Sequence, residues 1–247
     1  GYDLIVRIDL SKIKPMIALP FHPSNAYTIE DVNANTLEIL HHIEAEGKKA
    51  LENPNIDFRL TDKLDNGRLR VNQGVIAGCS GGTFENIVSA SRILDGQTIG
   101  DDYFTLSVYP GSQPVNLALL HEGAMEKLTL AGATMRTAFC GPCFGAGDTP
   151  ANNGFSIRHT TRNFPNREGS KPGDGQISSV ALMDSRSIAA TARNNGFLTP
   201  ATEIAYDDSE PKYEFTRTVY DNRVYQGFGK ADSKEEVIFG PNIAAWP

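Results

Sequence analysis

The hydrophobic pattern changes period several times along the 247 residues. Residues 4–10, "LIVRIDL", read as a strand, and "KPMIALPFHPSNAYTIEDV" reads as an extended, proline-rich connection that ends by capping a helix. The clearest helix is "ANTLEILHHIEAEGKKALEN" (34–53), where Leu37, Leu40, Ile43 and Leu51 fall near helical spacing and "NPN" stops it. Residues 55–70 alternate charged and apolar positions, as an insertion or hairpin does.

From Val71 onward short apolar runs alternate with glycine loops and helical stretches. "GVIAG" leads through "CSGG" into "TFENIVSASRIL"; "DYFTLSVYP" leads through "GSQ" into "PVNLALLHEGAMEKLTLAG". "ATMRTAF", "GFSIRHT" and "GQISSVALMDS" are three further strands, and "SRSIAATARNNG" is a closing helix. This alternation predicts an α/β fold: a three-layer α/β/α domain on a mainly parallel sheet, residues 1–200. Residues 201–247 change character, with many charges, Tyr and Gly and no sustained helical period, and read as a linker or strap whose aromatics pin it to the domain surface.

Composition narrows the class. At 40% hydrophobic and 21% charged residues the chain has enough apolar material for a core and too few charges for wholesale disorder. A net charge of −7 opposes phosphate backbones, so no nucleic-acid partner is expected. No apolar run is long enough for a membrane span, and the first residues lack the basic-then-apolar pattern of a signal peptide. Three cysteines are too few and too odd for a disulfide framework, which points to a reducing, cytoplasmic setting. The opening residues, not led by Met, read as a strand entered in mid-protein, so a larger parent chain is expected.

The chemistry concentrates in "TAFCGPCFGAGDTP" (137–150). Cys140 and Cys143 stand among glycines and prolines that suit neither a helix interior nor a central strand. A redox CxxC would open a helix directly, and "FGAGDTPANNG" cannot. A zinc site would need a fourth ligand, which the third cysteine and a histidine could complete. The remaining reading is an iron–sulfur cluster on three thiolates, Cys79, Cys140 and Cys143, with one iron open as a Lewis acid. In a parallel sheet the Cys79 loop and the CGPC loop fall on the same rim. Downstream, "TTRNFPNREG" carries Arg162 and Arg167, side chains suited to gripping a di- or tricarboxylate. The plainer readings are surface arginines, a structural His159, and a Ser80 without the partners of a nucleophile.

"GCSGGTFENI", "VYPGS", "FCGPC" and "TRNFPNR", in this order and spacing, resemble the aconitase family of hydro-lyases, and specifically its third domain, which supplies all three cluster cysteines. "IDLSKIKPMIALPFHPSNA" is similar to the family's approach to that domain and "MDSRSIAATARNNG" to its closing helix, so the likeness spans about residues 5–200. The tail, ending "FGPNIAAWP", resembles the connection toward the family's mobile fourth domain.

The resemblance implies that Cys79, Cys140 and Cys143 ligate a [4Fe–4S] cluster and that Arg162 and Arg167 contact substrate carboxylates or support the site. It implies a hydratase or dehydratase of a hydroxy-polycarboxylic acid, with the acid–base residues on the remaining domains of the parent chain. No catalytic residue is therefore assigned here, and the isolated chain is expected to be inactive and without its cluster. Three departures stand out: Ser80-Gly81-Gly82 where the family has Thr-Asn-Ser, Thr161 where it has Asn, and Asn166 where it has Gly. They bear on substrate specificity more than on cluster binding. A non-catalytic iron-sensing or zinc-binding module is the alternative.

Overall fold

The computed structural model describes residues 2–100, 103–170, 172–224, 226–236 and 238–243. The chain divides into two units, one running to Phe215 and the other from Thr216. In the second, the described residues hold one short helix, Arg217–Asp221, closed on itself by an Arg217–Asp221 ion pair at 3.2 Å.

In the first unit the elements in chain order are β1 (Met16–Ala18), β2 (Ala26–Thr28), α1 (Ile29–Ala34), α2 (Thr36–Leu51), β3 (Leu64–Asp65), β4 (Arg68–Leu69), β5 (Gln73–Ile76), α3 (Gly78–Gly81), α4 (Phe84–Ile93), β6 (Thr105–Val108), α5 (Gln113–His121), α6 (Ala124–Leu130), β7 (Thr134–Met135), β8 (Phe155–His159), β9 (Ser179–Met183) and α7 (Ser185–Arg193). Seven strands form one sheet in the order β2-β1-β9-β8-β5-β6-β7. The run from β9 to β7 is parallel, and β1 and β2 extend it antiparallel at one edge. With the surrounding helices this is an α/β architecture consistent with the three-layer class that the sequence predicts. β3 and β4 form a separate hairpin within the 55–70 segment.

The sequence explains these elements locally. β5 is buried along its whole length, as a central parallel strand must be. Helix starts are capped by side chains: Thr83 Oγ1 accepts from the Asn86 amide, Ser112 Oγ from the Val115 amide and Asp184 Oδ1 from the Ser187 amide. Gly74 and Ile76 of β5 face α7; a methyl group on Gly74 would lie 3.0 Å from Ile188. On that side the main core gathers Ile76, Ile87, Val88, Leu106, Val108, Phe155, Ile157 and Ile188. Residues 201–215 lie within this unit, where Tyr213 packs its ring 5.4 Å from that of Phe84 and the Ala201 amide donates to Ser187 Oγ.

Two expectations from the hydrophobic pattern fail. Residues 4–10 form no strand: Leu4, Ile5, Val6, Ile8 and Leu10 are all exposed, and a short turn capped by Asp9 begins at Leu10. A strand needs a neighbour for its amides and carbonyls, and among the described residues no strand of the sheet pairs with this segment. In α2, Leu37 is exposed, and the buried stripe is Thr36, Leu40, Ile43, Glu44 and Gly47.

Glu44 is the polar member of that stripe. Its carboxylate accepts from the amides of Leu60 and Thr61, the Thr61 hydroxyl and Lys48, all at 3.0–3.2 Å. Burial pushes its pKa up, but these donors outweigh burial and bring it down to about 2. A depressed carboxyl pKa contributes stability above the ordinary carboxylate range, and this is lost as pH falls toward that value. Glu44→Ala is therefore expected to cost about 2 kcal/mol at pH 7 by denaturant unfolding, and much less near pH 2.5. An equal loss at both pH values would show that the carboxylate's charge is not what counts.

Candidate cluster site at the carboxyl rim

All five parallel strands end on one rim. The chain runs from β5 outward to β6 and β7, then returns to the opposite flank of β5 as β8. This reversal is a topological switch point, where loops diverge and leave a crevice. The loop after β5 carries Cys79, the loop after β7 carries Cys140 and Cys143, and the loop after β8 carries Arg162 and Arg167.

Cys79 lies exposed in α3, a single helical turn. The turn is tightly wedged. The Ala77 amide donates to the His159 carbonyl at 3.2 Å, the Gly111 amide donates to the Gly82 carbonyl at 2.7 Å, and Asn86 Nδ2 donates to the Ser80 carbonyl at 2.8 Å. Gly78 adopts φ +72°, and a Cβ there would lie 2.7 Å from Cys143 Sγ; one on Gly81 would lie 2.1 Å from the His159 carbonyl oxygen. The glycines thus let the β5 loop press against both the CGPC loop and the end of β8.

Cys140 is exposed and Cys143 buried, the latter at the end of a 3-10 turn, Gly141–Cys143. Burial pushes the Cys143 thiol up, neighbouring Cys140 pushes it further, and hydrogen bonds with Thr161 oppose both. The structure therefore brings Cys140 and Cys143 together and sets Cys143 against the glycine that precedes Cys79. Among the described residues no three His, Cys, Asp or Glu side chains stand close enough together to hold a metal ion.

Arg162 and Arg167 are both exposed. Between them Asn163 is buried and anchors the loop, its Nδ2 donating to the carbonyls of Ala18, Leu19 and His22. Asn166 has φ +66°, a left-handed conformation that Asn tolerates better than most residues, so Asn can stand where the family has Gly. His159 is half-buried and its Nδ1 lies 2.7 Å from Ser185 Oγ; burial lowers its pKa, with Asp184 opposing and Arg186 reinforcing the shift.

The sequence reading missed the polar layer beneath the CGPC loop. On the sheet face opposite α7, Gln73, Ser107, Ser156 and Arg158 surround a small apolar patch of Val75, Ala77 and Tyr109. Asp148 meets this face from above, accepting from Ser107 Oγ at 2.8 Å, from Arg136 Nη2 at 3.0 Å and from the Tyr109 hydroxyl. Burial raises the Asp148 pKa, but Tyr109, Ser107 and Arg136 outweigh it and leave it lowered; burial and Asp148 together push Tyr109 up to about 12. Arg158 is fully buried, and burial lowers it to about 10, so it stays charged at neutral pH. A signal was present: an arginine inside a strand that must be buried on both faces demands acceptors.

The profile of the Aconitase family (aconitate hydratase) matches residues 1–190. The chain belongs to the aconitase family. Similar relatives are the 3-isopropylmalate dehydratase large subunits of Clostridium kluyveri (26% identical, 82% of this chain and 39% of the relative), Clostridium botulinum (28%, 80% and 38%) and Clostridioides difficile (25%, 82% and 39%). The chain spans about two-fifths of the length of these relatives. They are hydro-lyases, and the aconitase family generally implies a [4Fe–4S] cluster.

The residues of the rim fit such a group in donor chemistry. Three thiols belong to two loops that touch, a glycine stands where any side chain would strike Cys143 Sγ, and the buried hydroxyls of Ser80 and Thr160 have no hydrogen-bond partner.

Two outcomes are expected. Gly67 has φ +80° with open space around it, so Gly67→Ala should cost only the left-handed backbone term, about 1 kcal/mol. Gly78→Ala adds a clash with Cys143 and should cost clearly more by denaturant unfolding. Equal costs would mean that the two loops do not press together. Glu168 is fully buried, and burial raises its carboxyl pKa against the hydrogen bonds from Ser170 and the charge of Arg158. Stability associated with it is present below the ordinary carboxylate range and lost as pH rises through the raised value. Glu168→Gln should therefore raise the melting temperature relative to wild type more at pH 8 than at pH 4.5; the reverse order would refute this.

Proposed function

We propose that this chain is the cluster-binding part of an aconitase-family hydratase or dehydratase that acts on a hydroxy-acid bearing two or three carboxylates. The observation that carries the reading is the meeting of the Cys79 turn, the CGPC loop and the arginine loop at the switch point of the sheet. Cys79, Cys140 and Cys143 are the ligands of a [4Fe–4S] cluster. Those thiols would hold the cluster, and it would supply Lewis-acid chemistry toward the substrate's hydroxyl.

The protein's own residues bind and orient. Arg162 and Arg167, freed to solvent by the Asn163 anchor, grip carboxylates by paired N–H donation. Thr161 holds the Cys143 thiol from the same loop, so cluster and substrate contacts share one backbone segment. Burial lowers the His159 pKa, which disfavours its cationic form. The relatives' names point to a substituted malate as the substrate type. The proton adjacent to the hydroxyl is removed by residues outside this chain, supplied by the other parts of the protein or by a partner subunit, so the chain by itself is inactive.

The test is anaerobic reconstitution with ferrous iron and sulfide. A brown protein absorbing near 400 nm with about four irons per chain is expected. Cys79→Ser should lose most of that absorbance although it leaves the CxxC pair intact. A colourless protein that binds zinc equally well in wild type and Cys79→Ser would contradict the proposal and favour a zinc module. In the complete protein, Arg167→Lys should raise KM for the diacid about tenfold, the loss of one charge-assisted hydrogen bond.

A further inference from the structure

Arg158 is a fully buried charge with four hydrogen bonds, and the family resemblance assigned it nothing. Its side chain is fully buried on β8, on the sheet face that the CGPC loop covers. Nη1 donates to the Pro142 carbonyl at 2.9 Å, and Nη2 donates to the Asp148 carbonyl at 2.6 Å and to Gln73 Oε1 at 3.2 Å. Nε donates to Ser156 Oγ at 3.0 Å, and Ser156 in turn donates to Gln73 Oε1 at 2.7 Å.

Two of these acceptors belong to the sheet and two to the loop. The loop acceptors, Pro142 and Asp148, bracket the segment that contains Cys143, and Pro142 lies between the two cysteines. The Asp148 side chain is tied separately to β6 through Ser107 and Tyr109. The turn is therefore held at both ends by groups that grow out of the sheet, and Cys143 stands inside the held part.

We propose that Arg158 is a positioning residue for the cysteine loop: its guanidinium fork, rooted in β8, fixes the height and orientation of the Cys140–Cys143 pair above the sheet. The inference rests on the reading of those cysteines as cluster ligands only for its purpose; the positioning itself is a property of the metal-free chain. The planar fork is what makes the arrangement work. It reaches two loop carbonyls and one side-chain amide at once, whereas a lysine ammonium offers a single centre that cannot span them. Both carbonyls are covered, so removing their donor leaves unsatisfied acceptors and the turn lifts toward water.

The experiment is made on the metal-free chain under reducing conditions, with iodoacetamide alkylation of each cysteine followed by mass spectrometry. In wild type the exposed Cys79 and Cys140 should react quickly and Cys143 slowly. Arg158→Lys should accelerate Cys143 at least tenfold and leave Cys79, held by a different loop, within twofold. Because Cys79 and Cys140 are exposed already, overall stability is read separately by denaturant unfolding of the same variant, and a Cys143 rate that rises only in proportion to the unfolded fraction overturns the proposal. An unchanged Cys143 rate in Arg158→Lys overturns the proposal.

If that variant unfolds, hydrogen exchange in wild type decides. The amides of Cys143, Phe144 and Ala146, bonded within the turn, should be protected to a degree comparable with β8; exchange as fast as an open loop overturns the proposal. After reconstitution, Arg158→Lys should lose iron to a chelator about tenfold faster than wild type, and equal rates count against it. A chain that takes up no iron but loosens at Cys143 in Arg158→Lys removes the cluster reading and leaves this inference standing. A chain that takes up iron with Cys143 indifferent to Arg158 does the reverse.

Discussion

A buried guanidinium cannot be left without acceptors, and the need to satisfy Arg158 organises the rim of this domain. Its strand is central in a parallel sheet, so no water reaches it from either face. Over the middle of one face the covering layer is not a helix but the return of the CGPC loop. A loop carries unpaired carbonyls that a helix would have satisfied internally. Two of the arginine's N–H groups and two loop carbonyls answer each other, and the Asp148 side chain completes the exchange with Tyr109, Ser107 and Arg136. A fully satisfied polar layer of this kind specifies one arrangement more sharply than apolar packing does.

That layer explains how thiols can be presented on an irregular segment without the segment wandering. Glycines do the complementary work: Gly78 and Gly81 let the β5 loop approach sulfur and carbonyl more closely than any side chain allows. The arginine loop is secured from a third direction, by Asn163 gripping the end of β1. Three loops, each anchored by a different device, thus meet at the one place where the strand order reverses. What is anchored is the backbone; the side chains of Cys79, Cys140, Arg162 and Arg167 remain exposed.

Much of this was legible in the sequence because it depends on local pattern. Buried apolar runs followed by glycine loops specify parallel strands and the rim on which the cysteine and arginine loops fall. What was not legible depends on partners far apart in sequence. "LIVRIDL" alternates like a strand, but alternation cannot say whether a neighbouring strand is present, and among the described residues no strand of the sheet pairs with it. Leu37 has the right spacing for a core position but lies at the first turn of α2, beyond the surface the helix packs on. Asn166 looks like a lost glycine until its backbone is seen to be left-handed. Arg158 looks like one more charge in "GFSIRHT" until Pro142 and Asp148, sixteen and ten residues before it, are seen to lie over it.

On the proposed reading, three sulfurs on two separately anchored loops bind one inorganic cluster while the sheet-rooted fork holds the loop beneath. The most direct measurement is a crystal structure of the iron- and sulfide-loaded chain, grown without oxygen. The expected result is a single cluster bound by Cys79, Cys140 and Cys143, one iron without a protein thiolate, and Arg158 still donating to the Pro142 carbonyl. A metal held by Cys140 and Cys143 alone, with Cys79 turned away into solvent, would contradict it.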